Sequence, residues 1–172
     1  MSRGGTERDA SYLLEVACHE AGHAVVSYHL GFYGGPVTIK PDPEMGADGS
    51  HSGESEWADG SRDEERIVVL YAGLAAQLRL NPEADRRGAS SDYERAADLL
   101  PFVTMSKGAL EERARNMVEE HWEEIQAVAE ALLENETLAD GEDDLIMSAV
   151  IEGEDWRALL AEFRRRVRMV QP

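Results

Sequence analysis

The stretch CHEAGHAVVSYHLG, residues 18–31, places His19 and His23 four positions apart around Glu20. Four residues advance an α-helix by about 400°, so on a helix the two imidazoles share one face, about 6 Å apart along the axis, where both can grip one ion. Glu20, one step round, points beside that ion, placed to take a proton from water as a base and not to act as a ligand. The neighbours support a helix: Leu13, Val16, Ala17, Ala21, Ala24 and Val25 recur at three- and four-residue steps, which predicts one helix over 12–30, ended by GFYGGP. Imidazole ligands with a carboxylate base favour zinc, while ligand softness alone leaves iron, cobalt or manganese open.

Two histidines do not complete a site. His29 has the histidine offset of the extended metzincin signature, but that signature needs a helix-breaking glycine three residues after the second histidine, where this chain has Val26. On an unbroken helix His29 lies about 100° off the His19/His23 face and is read as a helix-end residue. A glutamate from a later helix, Glu64 or Glu65, would be the gluzincin solution, yet both look like capping and first-turn residues.

The rest of the chain bounds what such a site can serve. Its 172 residues fit one domain over 11–172 behind a flexible polar tail, 1–10. A formal net charge of -18 argues against nucleic acid and anionic membranes as partners. No apolar run reaches spanning length and MSRGGTERDA lacks the apolar middle of a signal peptide, so the expectation is a cytoplasmic protein. Cys18, the single cysteine, is read as a small buried hydrophobe.

Further along, PVTIK suits a strand and PDPEMGADGSHSGESEW a second, edge-like one, the only plausible sheet. Ser61 as N-cap with Glu64 three residues on predicts a capped helix over 61–80, and SDYERAADLL predicts another from about Ser91 to Pro101. The longest periodic run, 109–134, reads as one helix with His121 packed on its stripe. ENETLADGEDD reads as a turn and a solvated acidic stretch. Two final helices follow, the last ending in a solvated basic run from Arg164 to Arg168.

Three segments in order, VACHEAGHAVV, LYAGLAAQL and GASSDYERAADLL, resemble the peptidase domain of the FtsH-type ATP-dependent zinc metalloproteases, and VAEALLENETL is similar to that family's penultimate helix and turn. The resemblance covers about 12–145 and implies a mainly α, zincin-like fold with a small β element in the middle. It also implies Zn2+ held by His19, His23 and Asp92, the last from the GASSD element, and a start-of-helix aspartate behind a glycine-containing loop is a reasonable rigid ligand. Two positions depart from the family: Leu74 and Gln77 stand where Arg and Glu are usual, and Gln77 can hydrogen-bond a ligand histidine without giving it a carboxylate partner. This sequence also contains no GxxxxGK[ST] phosphate loop.

The implied function is a stand-alone zinc metalloendopeptidase acting on polypeptides with Glu20 as general base, its partner a homo-oligomer or a separate ATPase. An extended substrate would add as a strand at 37–40 or 51–56. The alternatives are a non-catalytic metal-binding or regulatory module that keeps the fold, and a metal hydrolase acting on a non-peptide bond.

Overall fold

The computed structural model describes residues 5–32, 35–40, 50–51 and 62–170. In chain order they form α1 (Gly5–His29), β1 (Val37–Thr38), β2 (Ser50–His51), α2 (Asp63–Leu80), α3 (Ser90–Leu99), α4 (Lys107–Glu120), α5 (Trp122–Asn135), β3 (Thr137–Leu138), α6 (Glu142–Glu152) and α7 (Trp156–Val170), with 3-10 turns at Arg86–Ala89 and Leu100–Phe102. The molecule is mainly helical, as its periodicity requires. No helix among the described residues is long and apolar enough to cross a membrane.

The spine is the pair α1 and α2. α1 packs against α2 and α5, and α2 packs in turn against α3 and α4; α6 lies on α5 and α7 on α6. Small residues let the spine close up: a Cβ on Gly22 would stand 2.8 Å from both the Ala72 carbonyl oxygen and the Ala76 Cβ, so only glycine fits that crossing. Around it Ile67, Leu110, Ile125, Leu132 and Ile146 are fully buried, each contributing about 1.5–3 kcal/mol. Cys18 is buried here as well, its thiol pushed up to about 12 by burial and by Glu15.

α1 starts at Gly5, inside the stretch that polarity alone assigned to the tail. It stops as its sequence demands: Gly31 takes a left-handed φ of 72°, and the Phe32 amide closes back on the Ser27 carbonyl at 3.0 Å.

Four local expectations are corrected by tertiary packing. The periodic run over 109–134 is two helices, broken at His121 (φ -109°, ψ 26°), because α4 packs on α2 while α5 turns to pack on α1, and one straight helix cannot do both. The small sheet has the order β2-β1-β3, all antiparallel, so it draws its third strand from the supposed turn ENETLADGEDD. β1 is thus paired on both edges and cannot accept a substrate strand. Of the other docking segment considered, 52–56 lie outside the described residues.

Arg62, not Ser61, is the N-cap of α2, with no side-chain cap; Ser61 lies outside the described residues. Glu64 closes no capping box, and its Oε1 instead accepts from the Thr104 amide (3.0 Å), the Thr104 hydroxyl (2.8 Å) and the Met105 amide (3.0 Å), tying α2 to the loop before α4. The acidic start of α6 is not solvated and draws one arginine of α7 to it, while Arg165, Arg166 and Arg168 stay exposed as expected. Glu142 and Asp143 are buried, and Arg164 donates to both Glu142 oxygens at 2.6 and 2.5 Å.

Candidate metal centre

α1 delivers His19, Glu20 and His23 to one buried spot, and the first turn of α3 delivers Asp92 to the same spot. The 3-10 turn before α3 is fastened by Asp85, whose side chain accepts from the Arg87 amide at 3.0 Å, so Asp92 starts from a fixed point. Three ligand atoms form a triangle: His19 Nε2 to His23 Nε2 is 3.0 Å, His19 Nε2 to Asp92 Oδ2 is 3.1 Å, and His23 Nε2 to Asp92 Oδ2 is 3.2 Å. Ligands held tetrahedrally at 2.0–2.1 Å from zinc stand about 3.3 Å from one another. The triangle therefore has nearly the size that a zinc ion sets.

The outer hydrogen bonds decide what these atoms offer. His23 Nδ1 lies 2.8 Å from the Val69 carbonyl oxygen, which can only accept, so Nδ1 carries the proton and a neutral His23 turns the Nε2 lone pair inward. For His19 the same result follows through an amide. Gln77 Nε2 donates to Glu15 Oε2 and to the Asp85 carbonyl, both at 3.3 Å, which leaves Gln77 Oε1 to accept from His19 Nδ1 at 3.3 Å. Two nitrogen lone pairs and a carboxylate oxygen thus meet about 3 Å apart with no donor among them. Such a meeting is repulsive unless a cation fills it.

The electrostatics agree. Burial works against an imidazolium at His23, but the charge and hydrogen bond of Asp92, helped by Glu20 and the Val69 carbonyl, outweigh it and raise His23 to about 9. A proton is the smallest cation that can satisfy the meeting point. Burial also disfavours the Asp92 carboxylate, yet the two histidines hold its carboxyl well below the usual range. Glu20 goes the other way: burial raises its carboxyl, His23 and His19 offset part of that, and Asp92 adds to it. Two nitrogens and a carboxylate oxygen are a donor set able to hold a metal ion.

α2 backs this site with one face. Val69, Gly73 and Gln77, four residues apart, supply the carbonyl for His23, the room for both rings, and the amide for His19. A Cβ on Gly73 would stand 2.4 Å from His23 Nε2 and 2.7 Å from His19 Nε2. Sequence reasoning named Gln77 but missed Val69, Gly73 and Glu15; the i, i+4, i+8 spacing was the available signal for the first two.

Other residues weighed as third ligands are elsewhere. His29 faces Glu124, not the triangle. Glu64 is committed to Thr104 and Met105, and Glu65, beside it in the first turn of α2, is absent from the cluster. Comparison with known proteins adds no relative: no protein-family model matches the chain, and no curated protein matches it at a significant level.

Proposed function

We propose that this chain is a zinc metallopeptidase with a zincin-like fold of the FtsH peptidase-domain type. His19, His23 and Asp92 would hold the metal, and Glu20 is the general base. The observation that carries this reading is the convergence of three lone pairs at one buried point, with a buried carboxylate one step along the same helix.

A zinc ion held by His19, His23 and Asp92 would supply a lowered water pKa and polarisation of a carbonyl oxygen. The chain's own residues do the rest. Val69 and Gln77 fix which nitrogen of each imidazole faces inward, and Asp92 would bring one negative charge against the ion. Glu20, its carboxyl raised by burial, is a better base than an exposed glutamate. It accepts the proton of the water whose oxygen bonds to the peptide carbonyl carbon, and returns that proton to the amine nitrogen as the C–N bond breaks. Gln77 in place of a carboxylate polarises His19 less, which supports weaker zinc binding than a carboxylate partner would give.

The substrate class is polypeptide, and cytoplasmic residence, with a homo-oligomer or separate ATPase as partner, belongs to the same proposal. The test is cleavage of an unfolded protein by the purified, zinc-loaded chain and by its Glu20→Gln variant. Cleavage should be stopped by a chelator and restored by zinc, and the variant should keep its zinc while losing about 100-fold or more in rate. A variant that cleaves like the wild type refutes the role of Glu20. Zinc without chelator-sensitive cleavage would instead assign the chain to a metal-binding or regulatory module.

A further inference from the structure

A second cluster lies further along α1, one the proposed mechanism does not use. His29 sits in the last turn of α1, His121 at the break between α4 and α5, and Glu124 in the first turn of α5. Each offers a ligand atom, and these atoms all lie within 4.8 Å of one another. Glu124 is shared between the rings: its Oε2 meets His29 Nε2, and its Oε1 is 3.3 Å from His121 Nδ1. The two imidazoles are stacked, centroids 3.5 Å apart and planes 13° from parallel. Their side chains are sheltered without being sealed, at 20% exposed for His29, 16% for His121 and 12% for Glu124.

We propose that His29, His121 and Glu124 form a second divalent-cation site, suited to zinc, that fastens the end of α1 to the α4–α5 corner. Two imidazoles and a carboxylate are a zinc-type donor set, leaving one position for water. The surroundings favour a cation. His29 stands at the negative end of the α1 dipole, Glu123 and Glu124 offset the positive end of α5, and the chain as a whole carries a formal charge of -18.

As neutral tautomers each ring can donate one N–H to Glu124, and the other tautomer turns the same nitrogen toward a metal as a lone pair. An ion bound by both rings must lie close to each ring plane, so binding requires the near-parallel pair to splay apart. His121 sits at the non-helical break between α4 and α5, and a bound ion would therefore stiffen the corner on which α5 turns toward α1.

The test is zinc stoichiometry and affinity by calorimetry on the chelator-stripped full chain, checked by metal analysis after gel filtration. The wild type should take two equivalents, the second at micromolar affinity or tighter. His29→Ala and His121→Ala should each take one, and the double variant His19→Ala/His23→Ala should also take one, lost when His121→Ala is added. One equivalent in the wild type, unchanged in His121→Ala, overturns the proposal. One equivalent lost in His121→Ala but kept in His19→Ala/His23→Ala upholds it while removing the metal centre of the proposed peptidase.

Should the α1 double variant fail to fold, nitrogen NMR of the histidine rings in the wild type decides. Zinc should move ring-nitrogen signals of His29 and His121 to metal-bound positions, and their failure to move at two equivalents overturns the site.

Discussion

Replacing Gly73 by alanine sets two effects of opposite sign against each other. Inside an exposed helix that change stabilises by up to ~1 kcal/mol through backbone entropy. At Gly73 the added Cβ would stand 2.4 Å from His23 Nε2 and 2.7 Å from His19 Nε2, against about 3.4 Å for ordinary contact, shortfalls of about 1.0 and 0.7 Å. Metal–ligand distances tolerate about 0.2 Å. Neither ring can retreat that far and keep both its outer hydrogen bond and its place in the triangle.

The expected result is a loss in zinc affinity of at least ~100-fold, about 2.7 kcal/mol. Overpacking of ~1–3 kcal/mol offsets the helix gain, so the metal-free protein changes stability little or falls by up to ~2 kcal/mol. Zinc affinity is read by competition with a chromophoric chelator, and stability by thermal unfolding with and without zinc. Gly108→Ala is the control, because a Cβ there meets nothing within 4 Å, and it should leave zinc affinity unchanged. Wild-type zinc affinity in Gly73→Ala would refute the placement of α2 against the two histidines.

Gln77→Ala removes the acceptor for His19 Nδ1 and should weaken zinc binding by about 10–100-fold, measured with the same competition. His23 has a folded-state pKa raised from 6.5 to about 9, so its contribution to the stability of metal-free protein is complete below pH 6.5 and lost as pH rises through 9. The melting temperature of stripped protein should fall across that window while that of zinc-loaded protein holds, and zinc binding near pH 7 should release a proton, seen as a dependence of calorimetric heat on buffer. Arg164→Ala leaves the buried Glu142 carboxylate without its principal donor and should cost about 2 kcal/mol in denaturant unfolding; a loss below ~0.5 kcal/mol would show that water replaces the arginine.

Much of the scaffold was legible in the chain because helices announce themselves locally. The α1 pattern, the glycine stop at Gly31 and the start of α3 before Pro101 are short-range features, and their elements stand where the periodicity put them, except that α1 begins at Gly5 rather than Tyr12. What failed depends on partners far along the chain. β3 pairs with β1 across about a hundred residues, too far for local alternation to reveal, and two residues of strand leave hardly any pattern. The break at His121 lies on an unbroken apolar stripe, and only the need to pack α4 and α5 on different helices marks it. Arg164 was read as solvated because nothing near it in sequence hints that Glu142 folds in beneath it.

The metal centre divides in the same way. His19, Glu20 and His23 come together from helical geometry alone, since a four-residue step on a helix puts two imidazoles on one face whatever surrounds them. Asp92 arrives from 73 positions away, Gln77 and Val69 set the inward lone pairs from the opposing helix, and Gly73 clears the space. Periodicity does not give Asp92, and on α2 it offers only the i, i+4, i+8 spacing of Val69, Gly73 and Gln77, not what that face meets. His29, about 100° off that face on an unbroken helix, stays out of the triangle as helix pitch requires, but that it meets Glu124, 95 residues on, only the fold decides. Backbone sterics and helix pitch act over a few residues and can be read from the chain. Which side chains meet is decided by how the packed helices cross, and that is settled only when distant apolar faces are buried against each other.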